Sequence, residues 1–370
     1  MKRASDKKIF SHIDWQLAGC ILSILFLGLL NLYSSTYNLS ISKYFSAQLV
    51  WIGAGIFIAL ILSVIDYRVM EKFSDFFYWF SIVLLVLVDV MGKVSQGAQR
   101  WIQVGGLAIQ PSEIMRISII MMLARHFQKH HDGRQLGFAD LIVPFVYCLI
   151  PFGLILKQPD LGSGLVVFGT GISIILFVGV RRNILITGAV IFAILIPVAW
   201  KFVLHDYQKD RVQTFMNPEK YALGKGYQVI QSKIAIGSGE LSGKGYLKGT
   251  QSKLQFLPKQ HTDFAFSNFA EEFGFIGSTI LLGLYASLGV LGFNVAVTAR
   301  DSFGMYIAFG LTSLVIAQAV VNLGMETGLL PVVGITLPLF SYGGSSLITT
   351  MVALGVLLNI SSKRFIFKAD

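Results

Sequence analysis

Runs of about 20 apolar residues recur along this chain, each long enough to cross a hydrocarbon layer as a helix. Within lipid a backbone must satisfy its own N–H and C=O groups, so only helices or closed barrels span, and runs of this length select helices. They fall near 15–35, 46–65, 75–91, 111–125, 141–157, 162–180, 184–204, 273–297, 303–325 and 342–360. The pattern predicts an all-α integral membrane protein of about ten transmembrane helices. Composition agrees, with 54% of residues hydrophobic and 14% charged, against roughly 25% charged in an average soluble domain.

The fourth run is the weakest, because Glu113 and Arg116 leave only Ile117 to Ala124 free of charge. The distribution of basic residues favours it nonetheless. With ten spans and both termini cytoplasmic, the short outer loops hold only Lys43, Lys93, Arg100 and Lys157. Dropping the fourth span would move Arg181-Arg182 outside, against the positive-inside bias. The polar, basic segment from Met1 to Asp14 precedes an apolar run too long for a signal-peptide core and without a small-residue cleavage site, so the first span is expected to be retained. The formal charge of +10 reads as orientation toward anionic lipid, since no nucleic-acid motif accompanies it. Cys20 and Cys148 lie in apolar runs without metal-ligand spacing and read as packing residues.

Residues 1–370 read as a single polytopic membrane domain with a large extracytoplasmic loop at about 205–263, between helices 7 and 8. Val229-Ile230 and Ile234-Ala235-Ile236 have helical spacing within it, which predicts a short amphipathic helix on the membrane surface. A second irregular element runs from Leu329 to Ser345 and contains Pro331, Gly334, Pro338, Gly343 and Gly344. It is too apolar for a free loop and too broken for a helix, so a re-entrant segment walling a cavity is expected.

Asp263 ends the long loop just before Phe264-Ala265-Phe266, with His261 and Thr262 preceding it. A carboxylate there can serve as a general base or as a helix N-cap, and residue type alone leaves both open. Glu113 and Arg116 share one helix face and form either a structural ion pair or part of a site. Arg100 can bind phosphate or snorkel. Lys157 and Asp160 sit in a turn, Lys157-Gln-Pro-Asp-Leu-Gly162, that can simply connect two spans or line the cavity. Asp89 reads as structural. The lysines from Lys201 to Lys259, with Arg211, can neutralise a pyrophosphate or form a solvated basic loop. Anion transporter, lipid-linked transferase and scaffold all remain open at this point.

The run Gln231-Ser-Lys-Ile-Ala-Ile-Gly-Ser-Gly-Glu-Leu-Ser-Gly-Lys-Gly245, with Gly249-Thr-Gln-Ser-Lys-Leu-Gln-Phe-Leu-Pro-Lys-Gln-His-Thr-Asp-Phe264, resembles the signature of the SEDS (shape, elongation, division and sporulation) family. So do Gly97-Ala-Gln-Arg-Trp101, Gln110-Pro-Ser-Glu113, Gln158-Pro-Asp-Leu-Gly162 and Pro338-Leu-Phe-Ser-Tyr-Gly-Gly-Ser345. The wording is closest to the rod-elongation, RodA-type branch. The resemblance implies a peptidoglycan glycosyltransferase of the cytoplasmic membrane that polymerises lipid II on the outer face, with Asp263 as its essential acid. It implies that Arg100, Arg116, Lys157 and Arg211 meet the pyrophosphate, that Glu113 and Asp160 orient them, and that His261, Thr262 and Ser341 border the substrate. It also implies work with a class B penicillin-binding protein and other elongation-complex proteins. No dedicated metal site is expected, and a divalent cation, if one is used, would sit with Glu113 and Asp160. A lipid II flippase is the competing reading.

The chain departs from the family pattern at four places. Arg116 stands where relatives commonly carry Lys, Glu240 where a Gly-Gly pair has its second Gly, and Lys259 where Glu usually follows Leu-Pro. Phe266-Ser-Asn268 is more polar than usual.

Overall fold

The computed structural model describes residues 14–37, 41–91, 93–95, 98–104, 107–202, 206–222, 224, 226–254 and 256–363. The basic segment before Asp14 and the last residues, 364–370, lie outside the described residues, as does Gly97 of the second signature block. The elements in chain order are α1 (Trp15–Ser35), α2 (Ile41–Val64), α3 (Tyr67–Met91), β1 (Lys93–Ser95), β2 (Ala98–Val104), β3 (Leu107–Ile109), α4 (Pro111–His130), α5 (Phe138–Lys157), α6 (Leu161–Val178) and α7 (Arg182–Phe202). They continue with α8 (Asp206–Met216), α9 (Tyr227–Ser238), α10 (Thr250–Lys253), α11 (Ala265–Val297), α12 (Ser302–Thr327) and α13 (Gly344–Lys363).

Among the described residues, nine helices are long and apolar enough to cross a membrane, and the fold is the helical bundle expected. The other expected span, α4, has the length but too many polar groups to read as apolar. Burial explains it. Packed among α3, α5, α6, α12 and α13, α4 turns Ser112, Glu113, Arg116 and Ser118 toward protein instead of lipid. Small residues let other helices approach closely, as where a Cβ on Gly355 of α13 would lie 2.7 Å from the Ala59 Cα of α2. The helix α7 stands apart, with no buried residue among those described. A small antiparallel sheet, in the order β1-β2-β3, lies between α3 and α4 and carries Arg100 on its middle strand.

The helix α11 begins at Ala265, eight residues before the hydrophobic run suggests, because its first two turns carry Ser267, Asn268, Glu271 and Glu272. All four are buried, and each has at least one protein hydrogen-bond partner. Its ladder is broken at Gly274 (φ 63°, ψ −159°). The glycine-rich loop between α9 and α10 fills the break by exchanging backbone bonds. Phe275 N donates to Glu240 O at 2.8 Å and Ile276 N to Leu241 O at 3.1 Å, while Lys244 N and Gly245 N donate to Glu271 O and Glu272 O, each at 3.0 Å. The groups that the break would orphan in the bilayer are thus satisfied. Side chains reinforce the seam: Lys244 Nζ, Thr250 N and Thr250 Oγ1 converge on Glu271 Oε1 at 2.7, 2.8 and 2.8 Å, and Ser34 of α1 bonds Glu272.

The helix expected at Val229–Ile236 is present as α9, and its buried stripe packs on protein. Val229, Ser232 and Ala235 are buried against α11 and α12. Its apolar stripe serves the protein core because the hydroxyl of Ser232 finds partners there, 2.6 Å from Ser267 Oγ and 2.6 Å from the Glu326 carbonyl.

Candidate functional site

Asp263 sits in the turn that delivers the chain into α11. It does not cap that helix: the cap position is Phe264, with no side-chain cap bond. Its carboxylate instead meets Lys259 Nζ at 3.3 Å, and its backbone carbonyl accepts from Asn322 Nδ2 of α12 at 3.1 Å. The carboxylate is thus not taken up by the helix end, which is satisfied elsewhere.

The wall opposite Asp263 is the broken segment between α12 and α13. Gly328, left-handed at φ 74°, ends α12, and the chain from Pro331 to Leu337 runs without regular structure. A second left-handed residue, Gly334 (φ 75°), faces the acid: a Cβ there would lie 3.8 Å from Asp263 Oδ2. Such a conformation favours glycine and brings bare backbone up to the carboxylate. Asn322 Nδ2 ties the segment down through Ile335 O at 2.8 Å, Ser341 Oγ accepts from Leu337 N at 3.1 Å, and Arg211 Nη1 of α8 donates to Val332 O at 3.1 Å. The far end is held by Tyr342 N donating to His261 O at 2.9 Å and by Gln48 of α2, which bonds both Ser341 O and Gly343 N at 3.4 Å. His261 packs against Tyr44 and Tyr342, with centroids 4.8 and 6.0 Å away. Burial pushes its imidazole below the ordinary histidine range, against the opposing pull of the Asp263 carboxylate. Thr262 Oγ1 donates to Lys259 O at 3.4 Å. His261, Thr262, Asp263, Ser341 and Arg211 are thus gathered around one segment.

A second cluster lies at the starts of α4 and α6. Glu113 Oε1 and Arg116 Nη1 are 2.7 Å apart and nearly fully buried, and Arg116 Nη2 donates to Ser163 Oγ at 3.3 Å. Asp160 caps α6 through Ser163 N at 3.3 Å, accepts from Gln110 Nε2 at 3.3 Å and lies 3.6 Å from Arg100 Nη1. Arg100 also donates to Pro159 O at 2.5 Å. The clusters meet at Val333, whose carbonyl would lie 2.8 Å from a Cβ on Gly162. Lys157 stands outside this group, with its ammonium exposed and 3.2 Å from Asp89 of α3. The sequence places it in the right turn, but the last residue of α5 projects it toward α3. Replacing Arg116 with alanine leaves Glu113 buried without its partner and is expected to cost about 3–5 kcal/mol. A fall in the thermal transition in detergent checks this, with Arg116→Lys retaining charge as the milder comparison.

Both carboxylates of this cluster already face guanidinium groups, Glu113 that of Arg116 and Asp160 that of Arg100. The lysines of the long loop are also dispersed: Lys244 is on Glu271, Lys259 on Asp263, and the Lys233 stem covers Gly328.

Sequence reasoning missed Asn322, Glu326 and Gln48. Asn322 and Glu326 are four residues apart in a largely apolar run, a polar pair on one helix face that hydropathy alone passes over.

The family model described as "Cell cycle protein" (FTSW_RODA_SPOVE) matches residues 14–365. The chain is 39% identical over 363 residues to the peptidoglycan glycosyltransferase MrdB of Escherichia coli (strain K12), covering 97% of each chain. It is 36% identical to the stage V sporulation protein E of Bacillus subtilis (strain 168), covering 94% of this chain and 96% of that one. Among solved structures, the rod shape determining protein RodA of Thermus thermophilus superposes with a TM-score of 0.72 at 30% identity, covering 95% of this chain and 98% of that chain. A chain of a peptidoglycan synthase complex, studied for its structural coordination of polymerization and crosslinking, superposes at 0.83 with 35% identity, covering 96% and 99%. With its bundle, its broken segment and nearly its whole length matched, this chain belongs to the FtsW, RodA and SpoVE family of cell cycle proteins.

Proposed function

We propose that this protein is a peptidoglycan glycosyltransferase, a multi-pass enzyme of the cytoplasmic membrane that polymerises lipid II into glycan strands for cell-wall elongation and rod shape. The observation that carries the reading is the placement of Asp263, a carboxylate not used as a cap, facing the bare backbone of Gly334 where two charged clusters meet. Both clusters are built from helix ends on one side of the bundle: α4, α6, α11 and α13 start there and α12 ends there. This favours chemistry at one face over passage of a head group across the bilayer, and hence the transferase over the flippase. We place that face, and the segment from 206 to 263, on the extracytoplasmic side.

In the reaction, the 4-hydroxyl of one lipid II sugar attacks the anomeric carbon of the growing strand. Asp263 takes the hydroxyl proton as the new C–O bond forms. The bond from the anomeric carbon to phosphate breaks, its electron pair leaves with undecaprenyl pyrophosphate, and a single inversion converts the α-linked donor to a β-1,4 product. Positive charge must meet the leaving group as the bond breaks. Arg100 is the guanidinium best placed for this, being partly exposed while Asp160 and the Pro159 carbonyl hold it. Arg116 and Glu113, too buried to meet substrate directly, support it through Asp160 and Ser163. Arg211 and Lys259 add charge on the other side. Lys157 is the outlying member of the cationic set. The strands would pass to a class B penicillin-binding protein for cross-linking, within an assembly of other elongation proteins.

The test is incubation of labelled lipid II with the purified protein and its transpeptidase partner, the partner's own active site being blocked. Moenomycin-insensitive polymer is expected. Absence of polymer, together with lipid II translocation in vesicles containing this protein alone, would overturn the reading in favour of transport.

A further inference from the structure

The first turn of α11 is held by a neighbouring helix and not by its own residues. The carboxylate of Glu326, fully buried on α12, accepts from Phe266 N at 3.3 Å, Ser267 N at 2.7 Å and Ser267 Oγ at 2.6 Å. It thus satisfies amides that a local cap would normally serve. One turn earlier on the same face of α12, buried Asn322 donates to the carbonyl of Asp263 at 3.1 Å and to that of Ile335, beside Gly334, at 2.8 Å. Asn322 and Glu326 therefore grip residues 263 to 267 from both ends, and the same amide fixes the facing wall.

We propose that α12 positions the catalytic base, with Asn322 and Glu326 as positioning residues that set the Asp263 carboxylate against the Gly334 backbone. This rests on the assignment of Asp263 as the base. Neither side chain need touch substrate, because each acts on the backbone that carries Asp263. A buried carboxylate bonded to two amides and a hydroxyl has little freedom, so the turn before α11 inherits the rigidity of α12. The polar Ser267, unusual for the family pattern, is explained as the donor that engages Glu326. Ser232 of α9, 2.6 Å from Ser267 Oγ, extends the grip to the long loop.

The experiment compares initial rates of labelled lipid II polymerisation by the full chain with its partner for wild type, Glu326→Gln, Asn322→Leu, Asp263→Asn and Asn359→Ala. Asn359 bonds the Leu62, Ser63 and Ile65 carbonyls at the opposite end of the bundle and serves as a purely structural comparison. Glu326→Gln and Asn322→Leu are expected to lower kcat by about tenfold or more through misplacement of the base, with KM for lipid II within about twofold of wild type. Asn359→Ala is expected to lower the thermal transition while retaining kcat. If Glu326→Gln and Asn322→Leu keep wild-type kcat while Asp263→Asn is inactive, the positioning role fails and the base survives. If Asp263→Asn is fully active, the reading of the base fails and the positioning role falls with it. Equal loss of kcat in Asn359→Ala at a matched loss of stability would reduce Asn322 and Glu326 to general structural support.

Discussion

Asp263→Asn is expected to stop glycan synthesis while leaving the protein intact. The substitution keeps the size of the side chain and every backbone bond around it, including the Asn322 contact to the residue 263 carbonyl and the turn from Lys259. It removes the ability to accept a proton together with the half-exposed ion pair to Lys259, a pair worth little to stability, and general base catalysis commonly contributes 10²–10⁴-fold, so a rate loss of roughly that size is predicted. Because the carboxylate does not cap α11, no helix-cap penalty accompanies the change. Wild-type membrane yield and thermal transition, combined with loss of polymer from labelled lipid II, would complete the result. An inactive variant that also unfolds early would mean that the carboxylate, through its Lys259 pair, holds the turn as well.

The second large effect concerns folding. Gly243 is left-handed (φ 77°), and a Cβ there would lie 2.0 Å from the Glu272 carbonyl oxygen; one on Gly239 would lie 2.0 Å from that of Ala270. Both obstacles are backbone, which cannot swing aside. Gly243→Ala is therefore expected to cost about 2–5 kcal/mol, combining overpacking with the strain of a left-handed alanine. Gly237→Ala, with nothing within 4 Å of its new methyl, serves as the neutral comparison from the same signature. Thermal unfolding in detergent and yield of membrane-inserted protein check both. A mutation that abolishes activity in this loop is thus expected to act through the seam with α11, not through lost contact with a phosphate.

The helical bundle was legible because lipid leaves so little choice: runs of the right length had to become helices, and their ends fell close to the observed ones for α1, α6 and α12. The long loop was less legible. Its lysines suggested a basic surface for a pyrophosphate, yet Gly239 and Gly243 let one backbone lie against another. Periodicity cannot report a partner supplied from a distant segment, and for the same reason the start of α11 was placed too late. Ser267, Asn268, Glu271 and Glu272 look like loop residues until Glu326, Asn31, Lys244 and Ser34 are brought beside them. At the site, pairings three residues apart such as Glu113 with Arg116 could be read from helix geometry. The contact of Arg100 with Asp160 and the diversion of Lys157 to Asp89 depend on tertiary placement and could not.

The interruption of α11 at Gly274 also bears on life in a bilayer of variable thickness. Membrane helices answer hydrophobic mismatch by tilting, and an unbroken α11 would transmit any tilt of its length beyond the break, Phe275 to Val297, which buries one face in the bundle and leaves the other outward, directly to the residues just ahead of Ala265. With the ladder cut and its bonds handed to the loop, small adjustments of that length are expected to be taken up at the bend, while the short upper piece stays clamped to α1 and α12. The turn that carries Asp263 is then expected to be insulated from lipid composition, so that turnover varies little between short-chain and long-chain phospholipid vesicles.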